Sequence, residues 1–183
     1  MSDFESLENI AIKIKENRSK LHDIEDSLSD VNVQLHEIPL KRATESTFAK
    51  MIGVGYDDKL SELEKTKEQL EKAKNDLKSS ISKDIATFIS DVSSPNLIIP
   101  LDNNPKIIDG KIVYKYRNDS QFKNVFDILC EMLGLSFPLV VKDVMLSPTE
   151  IVIAVKDEFE AKQKFINSLH EIQNTLLIKK KIV

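Results

Sequence analysis

From Leu7 onwards, apolar residues recur in alternating steps of three and four. They are Leu7, Ile10, Ile14, Leu21, Ile24, Leu28, Val31, Leu35 and Ile38, with the polar Asn17 filling one slot. An average spacing of 3.5 residues keeps a narrow stripe facing a partner when helices supercoil left-handedly. A helix lying on a globular core shows a broader, less regular stripe. The step order sets Leu7, Ile14, Leu21, Leu28 and Leu35 at a positions and Ile10, Asn17, Ile24, Val31 and Ile38 at d positions. Leucine at a with β-branched residues at d disfavours a parallel pair and favours three or four strands. Asn17 reads as the polar position that holds the register of such a seam, at some cost in stability.

The run Ser2-Asp3-Phe4-Glu5 has capping-box spacing and predicts a helix from about residue 3. Pro39 predicts its end, since proline lacks the donor and disfavours helix at the residue before it. Residues 39–57 form the expected connection, with Lys41, Arg42, Phe48, Lys50 and Met51 as candidate partner contacts at its tip. Asp57 or Asp58 caps a second helix over about 58–92. Leu63, Leu70 and Leu77 repeat there every seven residues, while Lys67 and Lys74 occupy the alternate apolar slots. Each helix is near 35 residues, roughly 50 Å at 1.5 Å per residue. Equal lengths and a single connection predict an antiparallel hairpin. Two such hairpins pairing into a four-helix stalk would bury the seam, so a homo-oligomer is expected.

The pattern changes at Ser93-Ser94-Pro95, the expected boundary between a coiled-coil stalk (residues 1–93) and a head (94–183). Strands are predicted at Leu97–Pro100, Lys106–Ile108, Ile112–Tyr116, Leu139–Leu146 and Ile151–Val155, with Asp109-Gly110 as a tight turn. Helices are predicted through Phe122, Val125, Phe126, Leu129 and Leu133, closed by Gly134, and through Phe165, Leu169, Ile172 and Leu176. The head repeats itself at an offset of 39: Ile112-Val113 falls on Ile151-Val152, Phe126 on Phe165 and Leu133 on Ile172. Two ββα units follow. Each has one apolar face to bury against the other. The expected fold is α+β: a long helical hairpin, then a four-stranded, mainly antiparallel sheet with two helices on one face.

Charge and composition narrow the chemistry. Residues 1–38 hold nine acids and four bases, and the whole chain is −4. No segment is basic enough for a nucleic-acid footprint. Lys179, Lys180 and Lys181 remain as an anionic-surface candidate, with a solubilising tail, which would also complement the dipole of the last helix, as the plainer account. One cysteine, Cys130, makes no disulfide framework and falls on an apolar position of the repeat. His22, His36 and His170 have no second metal ligand at fixed spacing. The Asp23, Glu25 and Asp26 cluster reads as a solvated helix face. Gly53 and Gly55 lack the strand, the third glycine and the lysine of a phosphate loop. No signal-peptide pattern opens the chain, and no apolar run approaches a bilayer span of about 20 residues, which predicts a cytoplasmic protein.

A non-enzymatic structural or interaction protein is predicted, without cofactor or metal. It assembles through the seam and offers the head or the hairpin tip to a partner protein. Over residues 3–92, helix, apolar-containing connection and helix of equal length resemble the organisation of prefoldin subunits, which implies a chaperone-like clamp. The head departs from that family, and no residue carries over. A nucleic-acid-associated assembly factor using the tip and tail lysines is a third class.

Overall fold

The computed structural model describes residues 3–44, 55–92, 105–115, 119–136, 138–147, 149–155 and 157–182. In chain order the elements are α1 (Asp3–Thr44), α2 (Tyr56–Asp91), β1 (Lys106–Ile108), β2 (Lys111–Lys115), α3 (Asp119–Leu133), β3 (Leu139–Val141), β4 (Val144–Leu146), β5 (Glu150–Ile153) and α4 (Glu158–Ile182). Packing divides the chain into two compact units, Glu16–Ser82 and Met1–Lys15 with Lys83–Val183.

The Glu16–Ser82 unit is an antiparallel helix pair. Two ion pairs define its register, Glu25–Lys74 at 2.8 Å and Arg42–Asp57 at 2.6 Å, and in both the residue numbers add to 99. Within one residue, that rule sets Leu21 level with Leu77, Leu28 with Leu70 and Leu35 with Leu63. It sets Ile24 level with Lys74, Val31 with Lys67 and Ile38 with Leu60. The heptad leucines of both helices therefore share layers, and lysines share the layers between. Lys67 and Lys74 are partly buried, as lysine stems are when they cover apolar surface and carry the charge outward.

Pro39 does not end the first helix, which continues to Thr44. Ile38, just before it, is 5 % exposed while Pro39 itself is exposed. The proline ring thus faces solvent, and seam packing outweighs the one backbone hydrogen bond it removes. The Thr44 hydroxyl donates to the Lys41 carbonyl at 3.0 Å, serving one of the last turn's orphan acceptors.

The second unit is built on an antiparallel sheet of order β1-β2-β5-β4-β3. Five strands appear among the described residues where four were expected. Leu139–Leu146 is not one strand but a hairpin, β3 and β4, turning at Lys142-Asp143 with Lys142 at φ 54°. Asp109-Gly110 turns as anticipated, both residues at positive φ, as a type I′ turn demands. The expected strand at Leu97–Pro100 and the boundary at Ser93–Pro95 lie outside the described residues.

The two ββα units are there: β1-β2-α3 and β4-β5-α4. Their inner strands β2 and β5 are neighbours, paired Ile112 with Ile153 and Tyr114 with Ile151. Ile112, Ile151, Ile153, Val144, Leu146 and Leu139 are all buried on one sheet face. Helix α3 is buried over a wide arc, Phe122, Val125, Phe126, Ile128, Leu129, Cys130 and Leu133, roughly 200° at 100° per residue. It is therefore covered from a second side. The cover is this chain's own beginning: Phe4, Leu7, Ala11 and Ile14 of α1 and Phe88, Ile89 and Val92 of α2 share its core. Phe4 stacks on Phe122 with ring centroids 4.4 Å apart. Lys15 donates to Asp127 at 2.6 Å, and Gln173 of α4 donates to the Ile89 carbonyl at 3.1 Å.

Candidate interaction surfaces

The expected assembly seam has two fates. Leu7 and Ile14 are 1 % and 0 % exposed inside the core just described, with Ile10 packed alongside. One chain accounts for their burial. Within Glu16–Ser82, Leu28, Val31, Ile38 and Ile81 are buried. Leu21, Ile24, Leu35, Leu63, Leu70 and Leu77 are only partly so, as is Asn17, which the register sets level with Ile81. On the opposite face of α1, Val33 and Leu40 stand seven residues apart, 53 % and 62 % exposed.

Beside the Glu25–Lys74 pair a groove of about 550 Å³ runs between the helices, lined mainly by polar side chains including Asn32, Glu71 and Asn75. The Lys74 ammonium donates to Glu25 and holds its carboxyl below the usual glutamate range. Asp23 and Asp26 are exposed, and His22 lies 3.7 Å from Asp26 on the open helix surface. His36 and His170 are exposed too. Among the described residues no three His, Cys, Asp or Glu side chains are grouped to hold a metal ion.

At the tip, Lys41 and Arg42 lie on α1, engaged with Glu37 and Asp57. Phe48, Lys50 and Met51 lie outside the described residues. Lys179, Lys180 and Lys181 continue helix α4; their side chains also lie outside the description. The Cys130 thiol is buried, and burial pushes its pKa up, with Asp127 adding to the effect. That suppresses thiolate, the reactive form.

The head presents surfaces that periodicity did not single out. One row crosses the other face of the sheet from the exposed Val140 through the half-buried Met145 and Val152 to the buried Val113. Lys106, Lys111 and Lys115 lie on that face with one acid, Glu150. A hollow of about 260 Å³ opens there, lined by Val140, Met145, Val152, Ala154, Lys111 and Lys142 among others. A second, of about 240 Å³, lies between α3, β3 and α4, with the Lys142–Glu171 ion pair at 2.8 Å on its wall. The apolar runs of β2 and β5 were visible in sequence; the hollows were not, because they depend on which strand ends up at an edge.

No protein-family model, no curated protein and no solved structure matches this chain. Among the described residues, no helix is long and apolar enough to cross a membrane.

Proposed function

We propose that this chain is a non-enzymatic structural protein whose helical hairpin pairs with the hairpin of a second copy, leaving the head to engage a partner protein. The observation that carries the reading is the half-sheltered seam. A two-helix pair leaves Leu21, Ile24, Leu35, Leu63, Leu70 and Leu77 partly in water. Four helices in a bundle enclose such positions from more sides. The leucine-at-a, β-branched-at-d pattern favours the same number of strands. The reading places the protein in the cytoplasm, on the strength of a single cysteine that has no disulfide partner in the chain.

Light scattering of the full chain tests it. A dimer is expected, and Leu21→Asp is expected to release monomers, because an unpaired charge in an apolar seam is costly. A wild-type monomer overturns self-association. An unchanged dimer with Leu21→Asp overturns this seam as its cause.

A further inference from the structure

Strands β1 and β2 carry a basic patch on the sheet face turned away from the helices. Lys106 lies directly opposite Val113 and Ile108 directly opposite Lys111, so all four share that face. Lys106 and Lys111 are then diagonal neighbours, about 7–8 Å apart, with Ile108 beside both. The two lysines are exposed, and Ile108 is 50 % exposed. Strand β1 is an outer strand, so the patch reaches the rim of the sheet. Lys115, on the same face, has Glu150 opposite it. The other acid bordering the patch, Asp143, is held by Lys164 at 2.6 Å. Lys106 and Lys111 are left to set the sign of charge that suits this surface.

The chain carries the complement on another element. Along α1, on the side away from the seam, Asp23, Asp26, Asp30, Val33, Glu37 and Leu40 follow one another in steps of three and four. That spacing keeps them in one row. All six are exposed, and no base stands among them. At the centre of the row is an acid–aliphatic–acid triplet: Val33, 53 % exposed, sits between Asp30 and Glu37. Those acids are about 10 Å apart along the axis at 1.5 Å per residue. The sheet patch is base–aliphatic–base, and flexible four-carbon lysine stems span the difference in spacing. Glu37 pairs with Lys41 at 2.9 Å on its own helix; an exposed pair of this kind is worth little and exchanges for another cation. Among the described residues the patch has no aromatic side chain, hence no stacking platform for the bases of a nucleic acid. A helix is an element that covers a sheet face.

We infer that the head binds the acidic row of α1 in a second copy of this chain. Lys106 and Lys111 pair with Asp30 and Glu37, and Ile108 packs on Val33. The two surfaces differ, so the contact is heterologous: it adds copies head to stalk and closes a ring or extends a filament. The row lies opposite the seam on α1, so the contact leaves the seam free. The inference rests on the reading of the head as the partner-binding part, makes that partner another copy, and is independent of whether the hairpins pair.

Sedimentation of four full-length proteins tests it: wild type, Lys106→Glu with Lys111→Glu, Asp30→Lys with Glu37→Lys, and the chain bearing all four changes. Every site changed is exposed, so the fold does not depend on it. At low salt the wild type is expected to grow beyond the dimer as concentration rises. Growth should vanish at about 1 M salt, where the screening length is about 3 Å. Either double reversal should raise the concentration needed for growth about ten-fold or more, because like charges then face each other. The four-fold swap should restore it. A wild-type mass that is flat in concentration overturns the proposal, whether the patch meets its own chain or a different protein. So does growth that survives either reversal, or a swap that stays as small as the reversals. The smallest species reads the other contact separately. A dimer that never grows refutes the head-to-stalk contact alone, and growth built from monomers refutes hairpin pairing alone.

Discussion

The ion pair between Lys13 and Asp84 allows a quantitative prediction about the base of the head. The Asp84 side chain is 12 % exposed and that of Lys13 55 %; they meet at 2.9 Å through Oδ1. The second oxygen, Oδ2, is buried with no hydrogen-bond partner. Removing the lysine leaves a carboxylate that neither water nor protein compensates fully. At this separation the Coulomb term is about 1.4 kcal/mol with water screening and about 6 kcal/mol at an effective dielectric of about 20. The half-exposed ammonium draws the value towards the lower end. Exposed pairs are worth ~0–1 kcal/mol, and breaking a fully buried pair costs ~3–5 kcal/mol. Lys13→Met should therefore cost about 2 kcal/mol. In urea, with a slope of about 2 kcal/mol per molar, the midpoint should fall by about 1 M. Asp84→Asn, which keeps an acceptor and drops the charge, should cost less. The double change Lys13→Met with Asp84→Leu should recover most of the loss, because apolar replacement of a buried pair is often neutral or stabilising. If Lys13→Met shifts the midpoint by under a quarter of the expected amount, or the double variant is weaker than both singles, the carboxylate is not dependent on this lysine and the reasoning fails.

Further expectations follow from single contacts. Phe122 is fully buried between Phe4 and Phe126, so Phe122→Ala should cost ~3–5 kcal/mol in chemical denaturation; a cost below ~1 kcal/mol would contradict the stacked core. Lys142 holds a left-handed backbone at φ 54° and an ion pair with Glu171, so Lys142→Gly in a Glu171→Gln background, where the pair is already gone, should raise stability by up to about 1 kcal/mol in a thermal melt, and a clear loss would argue against the turn. The Glu25 carboxyl is held low by Lys74. Its contribution is complete above the unfolded carboxyl's pKa and disappears as pH falls through the lowered folded value. Lys74→Met should accordingly flatten the acid limb of the stability profile, and an unchanged limb would remove the pair as its source. The buried Cys130 thiol should react with a disulfide reagent only as fast as the head opens, so labelling that is immediate in native buffer would contradict its burial.

Local pattern carried much of this architecture. The seam and the leucine heptads specify two long helices, because apolar side chains must line one face whatever they meet. The Asp109-Gly110 turn and the apolar run Ile112-Val113-Tyr114 specify β1-β2 for an equally local reason. The turn at Lys142-Asp143 escaped notice because the positive φ falls on a lysine, with no glycine or asparagine to mark it. Only its neighbours' pairing drives Lys142 to positive φ. Pro39 misled in the other direction: its penalty is local, and the burial of Ile38 that overrides it is not.

By itself, then, the amino-acid order determined the two long helices, the doubled ββα pattern and the apolar face each element must hide. Tertiary structure alone decided who hides it. Periodicity states that Leu7 and Ile14 need cover, but the core they share includes Phe88 and Phe122, residues more than 70 positions away along the chain. In the same way the sheet order, a set of non-local pairings, makes β3 an edge. The physical reason is common to both: hydrophobic burial is non-directional and sets a demand, whereas hydrogen-bond pairing and packing choose the particular neighbour that meets it.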